Sequence, residues 1–231
     1  MPPLDESRPA LLAALDDRYG PMGRSGVASI DGLSPFEAIA SAAIGLVAEP
    51  RLAAAALGAL RDAGLLQAGA FASADPIEID DLFREARVRL PARALGPLRR
   101  IARWAAESGF DAEAAASTST EALRQAWRAL NGVGPATADA LLLFGLRRPS
   151  YPLDRATYRI LARHGWIDAS ADYDEARSVV EGIAPDDAEA LARLSIAFGR
   201  VARDACKPSA AHCDRCPLRP FLPEGGPVEA E

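Results

Sequence analysis

A glycine-rich turn and one aspartate after it are the residues of this 231-residue chain whose types and spacing could do chemistry. Residues 130–138 read Leu-Asn-Gly-Val-Gly-Pro-Ala-Thr-Ala. Gly132 and Gly134 can adopt backbone angles that other residues avoid, so two amide N–H groups could point outward together. Pro135 suits the first turn of a following helix, whose positive end attracts anions. The turn therefore predicts a phosphate-binding site.

Asp154 lies twenty residues after Gly134, between Leu153 and the start of another predicted helix. The helix dipole favours the ionised carboxylate at such a position. A carboxylate can stabilise positive charge that develops on a sugar, and it can orient or deprotonate a water molecule. A plainer interpretation stays open, in which the glycine turn is an ordinary helix cap and Asp154 only caps the next helix.

Three cysteines near the end of the chain form a third group, with the spacing Cys206-x₆-Cys213-x₂-Cys216. Thiolates are the ligands that iron–sulfur clusters need. A zinc site that uses His212 is an alternative, although this residue directly precedes Cys213 and the geometry would be cramped. Three free thiols are the remaining interpretation. The odd number of cysteines argues against a disulfide scaffold.

The glycine turn, Asp154 and Arg159 together resemble the helix-hairpin-helix DNA glycosylases of the endonuclease III superfamily, with this chain as a divergent member. In that family the hairpin grips the DNA backbone, and an aspartate placed like Asp154 serves cleavage of the base–sugar bond. The resemblance implies an all-α, two-lobed fold. Residues 33–146 would form a six-helix barrel lobe that ends in the hairpin. Residues 1–32 and 147–231 would form a discontinuous helical lobe with the cysteine loop, and Asp154 would lie near the cleft between the lobes.

The resemblance also implies which residues meet DNA. Leu90 lies where the family has a loop that wedges into the base stack, although it could equally belong to the core. Val47 replaces a glutamine that fills the gap left by the flipped base, and valine cannot make those hydrogen bonds. The other expected contacts lie in the hairpin and in the basic run before it: Gly132, Gly134, Ala136, Thr137, Arg99 and Arg100.

Two positions depart from the family pattern. Members that also cut the DNA backbone carry a lysine at the place of residue 136. Its amine attacks the sugar and forms a Schiff base. This chain has Ala136 there, and its only lysine is Lys207, among the cysteines. The cysteine spacing matches the first three ligands of the family's [4Fe–4S] loop, but the fourth position holds Leu222. The expected cofactor is therefore a [4Fe–4S] cluster whose fourth ligand is undetermined.

The charge is distributed unevenly, although the net charge is −6. Residues 84–163 contain 14 arginines and 7 acidic residues. Phosphate contacts depend on the local field, so this segment fits a double-stranded DNA partner, although a basic face can also be solvated surface. The densest part consists of Arg84, Arg87, Arg89, Arg93, Arg99, Arg100 and Arg103.

Composition predicts a helical protein, since 49% of the residues are hydrophobic and only 6% are aromatic. Ser34-Pro35-Phe36-Glu37 predicts a capping box at a helix start. No apolar stretch is long enough to cross a membrane, and the start of the chain does not resemble a signal peptide, so we expect a cytoplasmic, nucleoid-associated monomer. The periodicity predicts helices over 8–19, 35–47, 51–63, 79–87, 95–107, 120–130, 136–146, 155–164, 172–182 and 186–203.

Two functions follow. The first is a monofunctional DNA glycosylase of base-excision repair, which hydrolyses the N-glycosidic bond of a flipped, damaged base with Asp154 and has absent or weak AP-lyase activity. The second is a binding protein that keeps the fold, has lost the chemistry and recognises damaged or distorted DNA. Asp154 and Arg159 favour the enzyme, whereas Ala136, Val47 and Leu222 indicate divergence. The sequence does not distinguish oxidised pyrimidines, deaminated bases and alkylated purines as substrates.

Overall fold

The computed structural model describes residues 4–20 and 29–228. Residues 1–3, 21–28 and 229–231 and the side chain of Arg93 lie outside the described residues. Apart from an isolated bridge between Cys206 and Ala211, these residues form helices and turns. The α-helices are α1 (Leu4–Tyr19), α2 (Pro35–Gly45), α3 (Pro50–Asp62), α4 (Ala68–Ser73), α5 (Pro76–Glu85), α6 (Ala92–Ser108), α7 (Ala112–Ser117), α8 (Thr120–Arg128), α9 (Pro135–Ala140), α10 (Arg155–Arg163), α11 (Tyr173–Glu181) and α12 (Ala188–Asp204).

The chain divides into two compact units. The hairpin unit, Ala28–Arg148, contains α2 to α9. Its core is built from side chains that are fully shielded from solvent, among them Ile39, Phe71, Leu98 and Trp127. Each such side chain stabilises the fold by about 1.5–3 kcal/mol through removal of apolar surface from water.

The aspartate unit consists of Met1–Val27 and Pro149–Glu231 and contains α1, α10, α11 and α12. Its buried side chains include Leu161 on α10 and Phe198 on α12, and these two helices pack against each other. None of the helices in the described residues has the length and apolar character that a membrane span requires.

The helix predicted over 136–146 is divided in two. Helix α9 ends at Ala140, and a π-helical turn, Leu141–Gly145, follows. This turn packs against α2, where a Cβ atom at Gly145 would lie 3.1 Å from Cα of Ile39. The glycine therefore permits a close backbone approach that anchors the C-terminal side of the hairpin.

Candidate active site and cysteine loop

The predicted hairpin joins α8 to α9, and its two glycines have different conformations. Gly132 has a φ of +79°, in the left-handed region that favours glycine. Gly134 is the N-cap of α9 with φ −71° and ψ 163°, which any residue can adopt. The prediction that both positions need glycine angles is therefore wrong for Gly134. A Cβ atom there would meet no atom within 4 Å, so the position is open to an approaching ligand.

Arg100 extends from α6 to the hairpin turn. A Cβ atom at Gly132 would lie 3.4 Å from Cζ of Arg100, so the guanidinium lies against the turn. The N–H of Thr137 is used within the helix, since it donates to the Gly134 carbonyl at 3.0 Å. The N–H of Ala136 lies in the first turn of α9, where no preceding turn supplies a carbonyl. The guanidinium and this helix start thus offer positive charge at one surface.

A buried ion pair fixes the two arms of the hairpin. Nε of Arg124 on α8 donates to Oδ1 of Asp139 on α9 at 2.7 Å, and both side chains are almost completely shielded. The same guanidinium also contacts Glu121. Because truncation of one partner of a buried pair is costly, this pair fixes the register of α8 against α9.

Several arginines of the basic segment already have partners within the protein. Arg124 forms the buried pair, Arg84 pairs with Asp81, and Arg148 donates to the Ala115 carbonyl at the end of α7. The arginine count therefore overstates the charge that DNA could meet. Arg99 on α6 is half-buried. The exposed members of the densest run, in addition to Arg84, are Arg87, Arg89, Arg100 and Arg103.

Asp154 is the exposed N-cap of α10. Its Oδ1 accepts the Thr157 N–H at 2.6 Å, whereas Oδ2 accepts no hydrogen bond from the described residues. The capping role that the plainer interpretation assigned to Asp154 is therefore present. It leaves half of the carboxylate directed to solvent, where it can act on a ligand.

Beside Asp154 lies an open pocket of about 320 Å³, lined by Leu153, Arg155, Tyr158 and Tyr173 together with the aspartate itself. The hydroxyl of Tyr158 is committed to the Ala169 carbonyl at 2.7 Å. The pocket thus combines a carboxylate, a cation and two aromatic rings. Sequence analysis missed both tyrosines. Tyr158 lies one helical turn after Asp154 on α10 and could have been found from that spacing, whereas no spacing links Tyr173 at the start of α11 to position 154.

The three cysteines line one small cavity of about 10 Å³, and Leu222 lines it as well. Cys206 is buried, whereas Cys213 and Cys216 are partly exposed. No group of three or more His, Cys, Asp or Glu side chains among the described residues is arranged to hold a metal ion. A cluster separates its thiolate ligands by its own width, so thiols too far apart for one ion can still suit a cluster.

Two thiols of this cavity, those of Cys213 and Cys216, resist ionisation. Burial is the largest cause that raises the pKa of each. The guanidinium of Arg163 acts in the opposite direction on Cys213. A positively charged partner would favour the thiolate form of both side chains.

Side chains of α10 hold the cysteine loop. Nε and one terminal nitrogen of Arg159 donate to the Cys206 carbonyl at 3.1 and 2.8 Å. Arg163 donates to Sγ of Cys206 at 3.3 Å and to the Lys207 carbonyl at 2.8 Å. Buried His164 places its ring nitrogens 2.7 Å from the Ile160 carbonyl and 3.2 Å from that of Leu218. Helix α10, which Asp154 caps, thus also holds the cysteine loop in place.

Solved structures with a similar fold match most or nearly all of the chain. Endonuclease III trapped with DNA as a covalent intermediate matches with a TM-score of 0.64 and 15% identity over 96% of both chains. A 3-methyladenine DNA glycosylase of H. pylori bound to 1,N6-ethenoadenine matches with a TM-score of 0.57 and 14% identity, over 85% of this chain and 97% of that one. Likeness at these identities concerns the fold, and it confirms the predicted all-α helix-hairpin-helix glycosylase fold.

Sequence relatives match part of the chain. A protein of Methanocaldococcus jannaschii, named as a candidate DNA repair glycosylase, is 32% identical over 126 residues, which are 54% of this chain and 57% of that protein. Endonuclease III of Sulfolobus acidocaldarius is 31% identical over 100 residues, 43% of this chain and 44% of that protein. The chain is thus similar to endonuclease III in part of its sequence and in its fold. It spans about half the length of these curated relatives, and no protein-family model matches it.

Two residues that were expected to contact DNA, Leu90 and Val47, lie next to other parts of the hairpin unit. Leu90 is half-buried and packs against the core of the hairpin unit, as the alternative to a wedge supposed. Val47 is half-buried just after α2, and its N–H donates to the Ile44 carbonyl at 3.1 Å. A role for either residue at a flipped base stays a prediction.

Proposed function

We propose that this protein is a monofunctional DNA glycosylase of base-excision repair, which hydrolyses the N-glycosidic bond of a damaged base flipped out of double-stranded DNA. The observation that carries the proposal is the half-open carboxylate of Asp154 beside its aromatic pocket. The glycosylase names of the relatives and the hairpin of the fold support it.

The proposed reaction requires a carboxylate from the chain and a water molecule. As the bond from the sugar C1′ to the base breaks, its electron pair leaves with the base and positive charge develops on the sugar. Asp154 stabilises that charge through Oδ2, while Thr157 holds Oδ1 in place. Water then adds to C1′, and its proton passes through the carboxylate to the departing base. The product is an abasic site in an intact strand.

The side chain at position 136 supports hydrolysis without strand cutting. Ala136 has no amine, so a covalent Schiff base cannot form at this position of the hairpin. The only lysine of the chain, Lys207, lies in the cysteine loop. The double-stranded DNA itself would be held by the hairpin and by the exposed arginines of α6 and the preceding loop.

A panel of duplexes, each with one oxidised, deaminated or alkylated base, tests this function. We expect at least one duplex to accumulate abasic sites that break only after hot alkali. Borohydride, which reduces a Schiff base to a stable link, should trap little protein on that duplex. Strand breaks without alkali, with efficient trapping that persists in Lys207→Ala, would contradict the monofunctional assignment. Tight binding to damaged duplexes without any base release would instead support the binding protein.

We also propose that Cys206, Cys213 and Cys216 hold a [4Fe–4S] cluster. Their shared cavity and their spacing in the sequence support this assignment. Such a cluster would clamp the loop onto α10, a structural role. Leu222 lines the same cavity without a donor atom, so one iron would lack a protein thiolate.

Replacement of Leu222 by cysteine is expected to stabilise the cluster. Fresh wild-type protein should be brown and contain iron and sulfide, and air should bleach it. Leu222→Cys should slow bleaching by about tenfold, because a fourth thiolate would cover the exposed iron. Leu222→Ser is the matched control, since it removes the same side chain without adding a thiolate. Folded protein that contains neither iron nor sulfide after anaerobic purification would contradict the cluster.

A further inference from the structure

A short segment without regular secondary structure, Tyr151-Pro152-Leu153, leads to Asp154 at the start of α10. Side chains from the two ends of α11 accept its alternate N–H groups. The Tyr151 N–H donates to Oε1 of Glu181 at 2.8 Å, and the Leu153 N–H donates to the hydroxyl oxygen of Tyr173 at 3.3 Å. Helix α11 therefore holds the segment from one side along its whole length.

The amino-acid order of the segment suits this attachment. Proline has no N–H and disfavours helical angles in the residue before it, so Pro152 keeps Tyr151 extended. Alternate N–H groups of an extended chain point in the same direction, which is why those of residues 151 and 153 can both reach α11. The side chains of Tyr151 and Leu153 are buried, whereas that of Asp154 is exposed.

The buried side chain of Tyr151 also connects this segment to the residue that holds the Asp154 carboxylate. The hydroxyl of Tyr151, completely buried, lies 3.1 Å from Oγ1 of Thr157. Burial raises the pKa of Tyr151, so this hydroxyl stays protonated and remains a hydrogen-bonding group. Thr157 is itself buried, and its N–H holds Oδ1 of Asp154. Three hydrogen bonds, joined through the covalent frames of Tyr151 and Thr157, thus connect Glu181 to Asp154.

We propose that Tyr173 and Glu181 are positioning residues, which fix the carboxylate of Asp154 by holding the two peptide groups before it; this rests on the function proposed above. A carboxylate that stabilises a transient charge must be placed accurately, because a displacement of about 1 Å costs on the order of 100-fold in rate. The Asp154 carboxylate is exposed and is held by the Thr157 N–H alone among the described residues, so the contacts of α11 with the preceding peptide groups add to its restraint.

Three substitutions test the proposal. Tyr173→Phe keeps the ring and removes the oxygen that accepts the Leu153 N–H. Glu181→Ala removes the acceptor of the Tyr151 N–H, whereas Glu181→Gln retains an acceptor oxygen. Ser178→Ala is the control on the same helix, because its hydroxyl bonds only within α11, to the Glu175 carbonyl at 2.7 Å.

The first measurement does not depend on catalysis. Amide hydrogen exchange should be about tenfold faster at Leu153 in Tyr173→Phe and at Tyr151 in Glu181→Ala, because each amide loses its acceptor. The Thr157 amide resonance, which reports the bond to Asp154, should shift in both variants. Ser178→Ala and Glu181→Gln should resemble the wild type. Unchanged exchange at Leu153 in Tyr173→Phe would overturn the proposal.

The second measurement is the single-turnover rate of base release with DNA affinity. Tyr173→Phe and Glu181→Ala should each lower the rate by about tenfold with an unchanged Kd, and Glu181→Gln should restore most of it. In an Asp154→Asn background, Tyr173→Phe should have no further effect, since it acts through that carboxylate. Equal losses in both backgrounds would overturn the positioning role. A wild type that releases no base would defeat the proposed function instead, and the exchange result would then decide the positioning alone.

Discussion

Asp154→Asn should lower base release by about 1,000-fold while DNA affinity stays within about twofold of the wild type. The carboxylate charge is the property that the proposed reaction uses, and the amide lacks it. Asparagine is as good an N-cap as aspartate, so its side-chain oxygen can still accept the Thr157 N–H. The substitution therefore removes the charge without removing the cap, and the two interpretations of Asp154 are separated.

The measurement is single-turnover release on whichever duplex the wild type cleaves, with Kd and Tm recorded for the same preparations. Asp187→Asn is a matched control, because Asp187 caps α12 in the same way through a bond to the Ala190 N–H at 2.9 Å. It should leave the rate unchanged. A variant Asp154→Asn that keeps near-normal turnover would show that the carboxylate is only a cap.

The positions of the long helices could be predicted from local signals. Ser34 and Pro35 marked the start of α2, and the Ser34 hydroxyl oxygen accepts the Glu37 N–H at 3.3 Å. The predicted capping box is only half formed, however, because the Glu37 carboxylate binds Arg61 at 2.7 Å. A tertiary partner that no local pattern reveals outcompetes the local bond.

The short helices and the break after α9 could not be predicted in this way. Helices α4 and α7 have six residues each, too few to show a periodicity, and both were missed. The π-helical turn depends on the contact of Gly145 with α2, a residue pair far apart in the sequence. Tertiary packing decides such details, whereas composition decides the fold class.

In the candidate site, too, some residues could be predicted from local sequence and others only from the folded structure. The type and spacing of Asp154 and of the hairpin residues made them candidates without coordinates, and their role in the reaction stays a prediction. The residues that hold Asp154 in place, Tyr173 and Glu181, have no such signal, because folding alone brings α11 beside the segment. Arg124 illustrates the reverse error, since a charge count places it with the DNA-facing arginines and the fold buries it against Asp139.

Gly134→Val is expected to weaken binding to every duplex, damaged or undamaged, by about tenfold or more, because loss of hydrogen bonds to a charged phosphate costs about 1.5–3 kcal/mol. A Cβ atom at Gly134 meets nothing within 4 Å, and its backbone angles suit valine. The free protein should therefore fold with the side chain in place, with only a small loss of Tm because valine is a poorer N-cap than glycine. The valine obstructs only a ligand that approaches the hairpin backbone.

Kd values on matched damaged and undamaged duplexes, measured over a series of salt concentrations, check this expectation. Gly69→Val on α4 is the control, since a Cβ atom there also meets nothing within 4 Å and the position lies outside the hairpin. Arg100→Ala should lower the log–log salt slope by about one, as expected for one lost phosphate contact. Weaker binding of Gly134→Val to damaged duplexes only would mean that the hairpin reads the lesion. Unchanged binding to all duplexes would mean that no phosphate approaches the turn, and the cationic surface formed by Arg100 and the start of α9 would then need another ligand.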